Sequence, residues 1–245
     1  MRRFIAALLL AAAALSAGPA SAHTGPTSVT ILRLGDSRTL GVGSSWGTGY
    51  APELVRLLGR EGVTATMLPD VAGTGWCVQS LRSTVDAAMA AGPDVAILAI
   101  GTNNASGRTV APCAGMAGFE DAYLDLVRRI LADSPTVRLL IAEIQYSSAP
   151  WAQQEVHTNV SAIHASWMAE CAGRCTLVDL SGISRCGGLG PDGVHPSDAG
   201  YQQMGNELAR GVLAAFGAPP WPSYIEQGGP RPGYDVPAVR AGNGC

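Results

Sequence analysis

An uninterrupted apolar run at 95–100 constrains the fold more than any other feature of this chain, because it contains no polar residue. A strand without polar alternation is typical of a parallel sheet whose two faces are both covered by helices. Other segments rich in β-favouring residues lie at 29–34, 63–68, 137–144 and 176–180. Segments between and after them carry apolar residues three and four positions apart, which is the spacing of amphipathic helices. This alternation predicts an α/β fold, a three-layer α/β/α sandwich around a parallel five-stranded sheet.

The same apolar spacing locates the helices along the chain. They are predicted at 52–59, 78–91, 119–130, 151–171 and 201–215. Pro52 suits the first turn of its helix, and Gly92-Pro93 should stop the second. Ser197 is well placed to cap the last helix. Strand and helix therefore alternate within one domain.

The two ends of the chain differ in composition from the middle. Residues 1–22 carry Arg2 and Arg3, then an Ala/Leu-rich run and an Ala-Ser-Ala site, which is the pattern of a cleaved signal peptide. That run is short for a membrane span, which needs ~20 apolar residues. We expect cleavage near Ala22, a catalytic domain at 23–217, and a Pro/Gly-rich tail at 218–245. The exported protein should be extracellular and monomeric, without stable membrane insertion.

Charge and cysteine content exclude several classes of function. The chain has 16 basic residues, all arginine, against 19 acidic ones and a net charge of −3, which argues against a nucleic-acid partner. Without lysine there is no Walker loop, and Gly41-Val42-Gly43 lacks the dinucleotide-binding spacing, so no nucleotide cofactor is expected. Six cysteines in an exported chain predict up to three disulfides rather than a metal site.

The sequence favours one pairing among these cysteines. Cys77 and Cys113 each follow a loop at the predicted catalytic edge, so we expect them to pair. The partners of the remaining four cysteines stay open, and they are Cys171, Cys175, Cys186 and Cys245.

A serine directly after the first strand is the main candidate for chemistry. Gly35 permits a tight exit from the strand and sends Asp36 and Ser37 to the carboxyl edge of the sheet, where open α/β sheets bind ligands. Serine is a poor nucleophile without a base and an orienting acid. Asp192 and His195, three residues apart in a turn, can supply both if the carboxylate accepts a hydrogen bond from the imidazole Nδ1.

Three sequence blocks resemble those of the SGNH/GDSL hydrolases. They are Gly35-Asp36-Ser37, Gly101-Thr102-Asn103 and Asp192-Gly193-Val194-His195, and the resemblance extends over about 29–216. It implies a flavodoxin-like sandwich and catalysis by Ser37, His195 and Asp192. The oxyanion would be held by the backbone N–H groups of Ser37 and Gly75 and by the Asn103 amide. No cofactor or metal is implied.

The family also has a glycine block, which is matched here by Thr74-Gly75-Trp76, and this chain departs from the family pattern at two other positions. Thr74-Gly75-Trp76 resembles the Ser-Gly-Trp of acetylxylan-esterase-like members, which favours Gly75 as the oxyanion glycine, with Gly73 as the alternative. Trp76 is then the candidate for substrate binding. Arg38 stands where many members have Leu or Ile, and Asn104 where they often have Asp.

The resemblance predicts a secreted serine esterase that hydrolyses carboxylic esters. The expected substrate is a small ester or an acylated polysaccharide with short acyl groups such as acetyl. Two alternatives stay open: a lipase or phospholipase that acts on longer acyl esters, and a catalytically silent carbohydrate-binding module that keeps the fold.

Overall fold

A parallel sheet forms the middle layer of the computed structural model, which describes residues 25–144, 168–180, 183 and 188–218. The strands are β1 (Ser28–Gly35), β2 (Thr64–Met67), β3 (Val71–Ala72), β4 (Val95–Ala99), β5 (Arg138–Ala142) and β6 (Cys175–Val178). Their order is β2-β1-β4-β5-β6, and β3 pairs with β1 beyond the end of β2. The five predicted strands are present, and the two-residue β3 is an additional strand that the sequence analysis does not predict.

The strand order creates a switch point at the carboxyl ends of β1 and β4. These two strands are neighbours in the sheet, with Leu34 beside Leu98 and Gly35 beside Ala99. The chain leaves β1 towards β2 on one side and leaves β4 towards β5 on the other. Parallel α/β sheets leave a crevice at such a point, and the segments that begin with Asp36 and Ile100 border it.

Seven helices lie in the described part of the chain. They are α1 (Ser37–Leu40), α2 (Ala51–Arg60), α3 (Val78–Leu81), α4 (Val85–Met89), α5 (Thr102–Ala105), α6 (Phe119–Asp133) and α7 (Asp198–Ala215). Of the predicted helix at 151–171, only the end falls among the described residues, as a 3₁₀ turn at Met168–Cys171. None of the helices described is both long and apolar enough to cross a membrane.

The predicted single helix at 78–91 is wrong, because two short helices occupy this segment. A hydroxyl side chain competes with the helical hydrogen bonds here, because Thr84 Oγ1 donates to the Leu81 carbonyl at 3.1 Å. Such local bonds offer the backbone an alternative to a continuous helix. The apolar spacing survives the break, since Val78, Leu81, Val85 and Met89 are all buried.

Both faces of the sheet are covered, as the apolar run at 95–100 predicts. Leu98 faces the layer formed by α3, α4 and α6. Ile97 faces the opposite layer, formed by α2 and α7. Both side chains are fully buried. The alternation of one strand between two apolar cores confirms the predicted three-layer α/β/α sandwich.

Two disulfides lie among the described residues. The predicted Cys77–Cys113 bond is present and joins the start of α3 to the segment before α6. Cys171 pairs with Cys175, a choice that the sequence left open. Cys186 and Cys245 lie outside the described residues, as do the predicted signal peptide and the tail beyond 218.

Candidate active site

Ser37 is the first residue of α1, directly at the end of β1. The chain leaves the strand so close to β4 that Gly35 has no room for a side chain. A Cβ at this position would lie only 2.6 Å from the Ala99 carbonyl oxygen. Asp36 caps the helix, and its Oδ1 accepts from the Arg38 N–H at 3.0 Å. The N–H of Ser37 belongs to the first helical turn and has no acceptor within the helix. The serine that follows β1 is thus presented on a capped helical turn.

A line of hydrogen bonds joins the predicted acid, base and nucleophile. His195 Nε2 lies 2.9 Å from Ser37 Oγ, and His195 Nδ1 lies 2.6 Å from Asp192 Oδ2. When Nδ1–H donates to the carboxylate, Nε2 is free to accept the serine proton, which is the tautomer that a general base needs. The structure therefore brings together the three side chains that the sequence motifs single out.

The backbone of the His195 loop holds Asp192 in place. Asp192 Oδ1 accepts from the N–H groups of Val194 at 2.9 Å and His195 at 3.0 Å, while Oδ2 faces the imidazole. Partial burial alone would raise the pKa of Asp192. The hydrogen bonds from the His195 side chain and from these two N–H groups outweigh it and lower the pKa to about 2. Asp192 is therefore ionised throughout the neutral range.

Asn103 lies in α5, on the other side of the switch point from Ser37. Its Nδ2 donates to the Trp76 carbonyl at 2.8 Å, which fixes the orientation of the amide. A primary amide has two N–H groups, so one donor is left for another acceptor. Gly75 precedes this carbonyl, with a φ of +77° that favours glycine. The glycine block and the Gly101-Thr102-Asn103 block are thus joined at the same edge of the sheet.

Gly73 and Gly75, the two candidates of the glycine block, have different surroundings. A Cβ on Gly73 would overlap the indole ring of Trp76, so Gly73 provides the space into which this side chain packs. Gly75 instead adopts the left-handed conformation next to the Asn103 contact. A packing requirement explains Gly73 without any catalytic role, which favours Gly75 as the candidate oxyanion donor.

The hydrogen bonds of Asn104 explain why this chain has asparagine at a position where family members often have aspartate. Its Oδ1 accepts from the Val78 N–H at 3.0 Å, and its Nδ2 donates to the Gly115 carbonyl at 2.8 Å. The side chain is fully buried. An aspartate could accept the first hydrogen bond but could not donate the second. Asn104 therefore ties α5 to α3 and to the segment before α6.

Arg38 makes a contact that the sequence did not reveal. Its guanidinium is buried and donates to the Val194 carbonyl at 3.4 Å, so it links the helix of the nucleophile to the loop of the base. Asp36 is buried beside it, and burial raises the pKa of Asp36 while the positive charge of Arg38 opposes that rise. The only sequence signal was a charged residue at a position that is usually apolar.

The described residues contain no group of three or more His, Cys, Asp or Glu side chains placed to hold a metal ion. The hydrogen bonds between Asp192, His195 and Ser37 use the polar atoms of the site among themselves. The arrangement is suited to proton transfer from a hydroxyl and to nucleophilic attack by its oxygen.

Comparisons with known proteins identify the family and the fold of this chain. The chain matches the model of the GDSL-like Lipase/Acylhydrolase family over residues 34–203. A family 3 carbohydrate esterase from Clostridium thermocellum is 25% identical, with a TM-score of 0.61, and the match covers 77% of this chain and 98% of that one.

Two further solved structures share the fold. An acetylxylan esterase from Geobacillus stearothermophilus is 22% identical, with a TM-score of 0.57, over 77% of this chain and 94% of that one. A lipase/acylhydrolase from Enterococcus faecalis is 17% identical, with a TM-score of 0.63, over 79% and 99%. None of the curated proteins matches the chain.

Proposed function

Because the chain belongs to the GDSL-like lipase/acylhydrolase family and is a carboxylic ester hydrolase of the SGNH type, we propose that it works through an acyl-enzyme on Ser37. The observation that carries this proposal is the line of hydrogen bonds from Asp192 through His195 to Ser37, with distances of 2.6 and 2.9 Å. Nucleophile, base and orienting acid within hydrogen-bond reach are the parts that acyl transfer by a serine requires.

The proposed reaction has two steps. Ser37 Oγ attacks the ester carbonyl while His195 Nε2 takes its proton, and the ionised Asp192 stabilises the imidazolium that forms. The tetrahedral oxyanion accepts hydrogen bonds from the N–H groups of Ser37 and Gly75 and from the free N–H of Asn103. His195 then protonates the leaving alcohol. In the second step it activates a water molecule, which attacks the acyl-enzyme and releases Ser37.

For the substrate, we propose short acyl esters, such as acetyl groups, on an extracellular polysaccharide. Two similar structures are, by their own descriptions, a carbohydrate esterase and an acetylxylan esterase. The Thr74-Gly75-Trp76 block has the sequence character of that group. Two disulfides in the described residues are consistent with an oxidising compartment, which supports secretion.

An acyl-chain series tests the substrate class. We expect p-nitrophenyl acetate and butyrate to be hydrolysed with a higher kcat/KM than the dodecanoate, and acetate to be released from acetylated xylan. Ser37→Ala serves as the control for contaminating esterases and should show no turnover in either assay. A kcat/KM that rises steadily with chain length would identify a lipase instead. Full activity in Ser37→Ala would contradict the acyl-enzyme itself.

A further inference from the structure

A cavity of about 340 Å³ lies beside the glycine block and is not part of the line from Asp192 to Ser37. Trp76 and Arg108 are both among its lining residues. The remaining lining residues are small, hydroxyl-bearing or apolar, from segments 74–84 and 110–113. Among the described residues that line the cavity, Arg108 is the only one with a charge. The cavity therefore combines one aromatic side chain, several hydroxyls and a single cation.

The backbone places Arg108 close to the candidate oxyanion donors. Its N–H donates to the Asn103 carbonyl at 3.0 Å, and its carbonyl accepts from the Gly115 N–H at 2.8 Å. The disulfide between Cys77 and Cys113 ties the same segment to the start of α3. The arginine thus sits on a segment that is held at three points rather than on a loose loop.

The guanidinium of Arg108 lies over the glycine block. Its atoms are 3.0–3.3 Å from the position that a Cβ on Gly75 would occupy, so a side chain at Gly75 would press against it. The side chain of Arg108 is exposed to solvent. A positive charge is therefore presented to the cavity directly beside the residue proposed to hold the oxyanion.

Arg108 has no carboxylate partner within the described part of the chain, and no side-chain hydrogen bond involves it there. Other arginines of the described residues do pair with carboxylates, namely Arg33, Arg56, Arg82, Arg129 and Arg210. Guanidinium groups bind carboxylates well because their planar N–H donors match the two oxygens. The Arg108 guanidinium lies next to the glycine block without such a partner, so it is suited to bind a carboxylate of the substrate.

The size of the cavity indicates which part of the substrate it takes. Its volume is about 340 Å³. One water molecule has a share of roughly 30 Å³, so this space is far larger than an acetyl group needs. It falls within the range of small-ligand pockets, roughly 300–1,000 Å³. The indole of Trp76 offers a flat apolar surface for a ring, so a sugar unit of the alcohol part fits better than an acyl chain.

We propose that this cavity is a subsite for an acidic sugar, in which Arg108 binds the carboxylate of a uronate unit and Trp76 lies against a sugar ring. The inference rests on the proposed function and deepens it, since it names the class of polysaccharide: an acylated one that carries uronic acids. The net charge of the chain is −3, so a polyanion would not be attracted by the molecule as a whole. Recognition would depend on Arg108.

A matched pair of substrates tests this proposal. Monoacetates of methyl glucuronide and methyl glucoside differ only in a carboxylate against a hydroxymethyl group. We expect the wild-type protein to hydrolyse the glucuronide ester with a kcat/KM about 10-fold higher, the effect of a charged hydrogen-bonded contact. Arg108→Gln should bring the two esters to within about twofold by lowering only the value for the glucuronide. Raising the salt concentration should weaken the preference, because the contact is exposed.

Two further variants separate a local contact from general charge effects. Arg108→Lys keeps the charge without the planar donors and should retain part of the preference. Arg60→Gln removes the same charge from the exposed end of α2, at the opposite edge of the sheet, and should leave the preference unchanged.

Inhibition provides a readout that does not depend on turnover of these esters. Methyl glucuronide should inhibit hydrolysis of p-nitrophenyl acetate more strongly than methyl glucoside does, and Arg108→Gln should remove that difference. Equal inhibition by the two glycosides in the wild-type protein, or a preference that survives Arg108→Gln, would overturn the acidic-sugar subsite and leave the esterase standing. Absence of hydrolysis of every ester tested would instead refute the proposed function.

Discussion

At the scale of single residues, Asn103 is proposed to donate one hydrogen bond to the oxyanion. One N–H of its amide is used by the Trp76 carbonyl at 2.8 Å, so the amide is oriented before substrate binds. We expect Asn103→Ala to lower kcat by roughly 10² to 10³, about 2.7–4 kcal/mol of transition-state stabilisation, with KM little changed. Steady-state kinetics on p-nitrophenyl acetate measure both constants.

Ser37→Ala and His195→Ala provide the comparison for Asn103. Both should abolish turnover without unfolding the protein, because their side chains lie at the edge of the sheet rather than in either core. If Asn103→Ala changed only KM, the amide would be a substrate-binding group and the proposed oxyanion hole would lose that donor.

The low pKa of Asp192 leads to a prediction for stability at acidic pH. Since its pKa falls from the ordinary 3.8 to about 2 on folding, the stabilisation from its ionised form is fully present above pH 3.8 and is lost as the pH falls towards 2. Denaturant unfolding of the wild type and of Asp192→Asn should therefore differ by less at pH 2–3 than at pH 5. A constant difference from pH 7 to pH 2 would contradict this assignment.

Arg38 is predicted to matter for both stability and turnover. It lies buried between Asp36 and the carbonyl of Val194, so Arg38→Met would leave a buried carboxyl without its nearby cation. We expect the free energy of unfolding to fall by about 1–3 kcal/mol, and kcat to fall while KM is kept, because the loop of His195 loses a tether.

The double variant Asp36→Asn/Arg38→Met isolates the coupling between these two buried groups. Asn still caps a helix, and the double variant contains neither charge. It should be more stable than Arg38→Met alone, as measured by urea unfolding. Additive effects of the two substitutions would show that the charges do not interact.

At the scale of structural elements, the two disulfides have unequal expected effects. Cys77–Cys113 closes a segment of 36 residues, whereas Cys171–Cys175 closes one of 4. The loss of chain entropy in the unfolded state grows with the length of the loop. Replacing Cys77 and Cys113 by serine should lower the free energy of unfolding by about 2–4 kcal/mol, and the same change at Cys171 and Cys175 by less.

Loss of the two disulfides should also affect enzymatic activity differently. The Cys77–Cys113 bond lies between the glycine block and the segment that carries Arg108, so its loss should also lower kcat/KM. The Cys171–Cys175 variant is the matched control and should keep its activity, because that bond lies at the amino end of β6, away from the proposed site. Equal loss of activity in both variants would point to a general effect of destabilisation.

At the scale of the whole molecule, the parallel sheet is what makes a site from distant segments. Ser37 and His195 are 158 positions apart and lie within hydrogen-bond distance. This contact follows from the strand order. The chain leaves the neighbouring strands β1 and β4 in opposite directions at their carboxyl ends, and the loop before α7 returns to the same edge. The same edge carries Asn103, whose amide contacts the Trp76 carbonyl next to Gly75, so the candidate oxyanion donors come from separate segments as well.

The sequence by itself determined the layers of the fold and the residue types of the candidate site. The apolar run at 95–100 requires cover on both faces, and the spacing of Asp192 and His195 within one turn allows their hydrogen bond. These are local properties, since the period of a pattern and the geometry of a turn depend on a few neighbouring residues. They were therefore open to prediction without the rest of the molecule.

Only the tertiary structure decided how these pieces contact one another. The break between α3 and α4, the space that Gly73 leaves for Trp76, and the bond from Arg38 to Val194 each depend on atoms from elsewhere in the chain or on competing side-chain hydrogen bonds. Arg108 is the clearest case, because nothing in its sequence neighbourhood marks it. Its position over Gly75 arises from a backbone hydrogen bond to Asn103 and from a disulfide that closes 36 residues, and such long-range constraints exist only once the chain has folded.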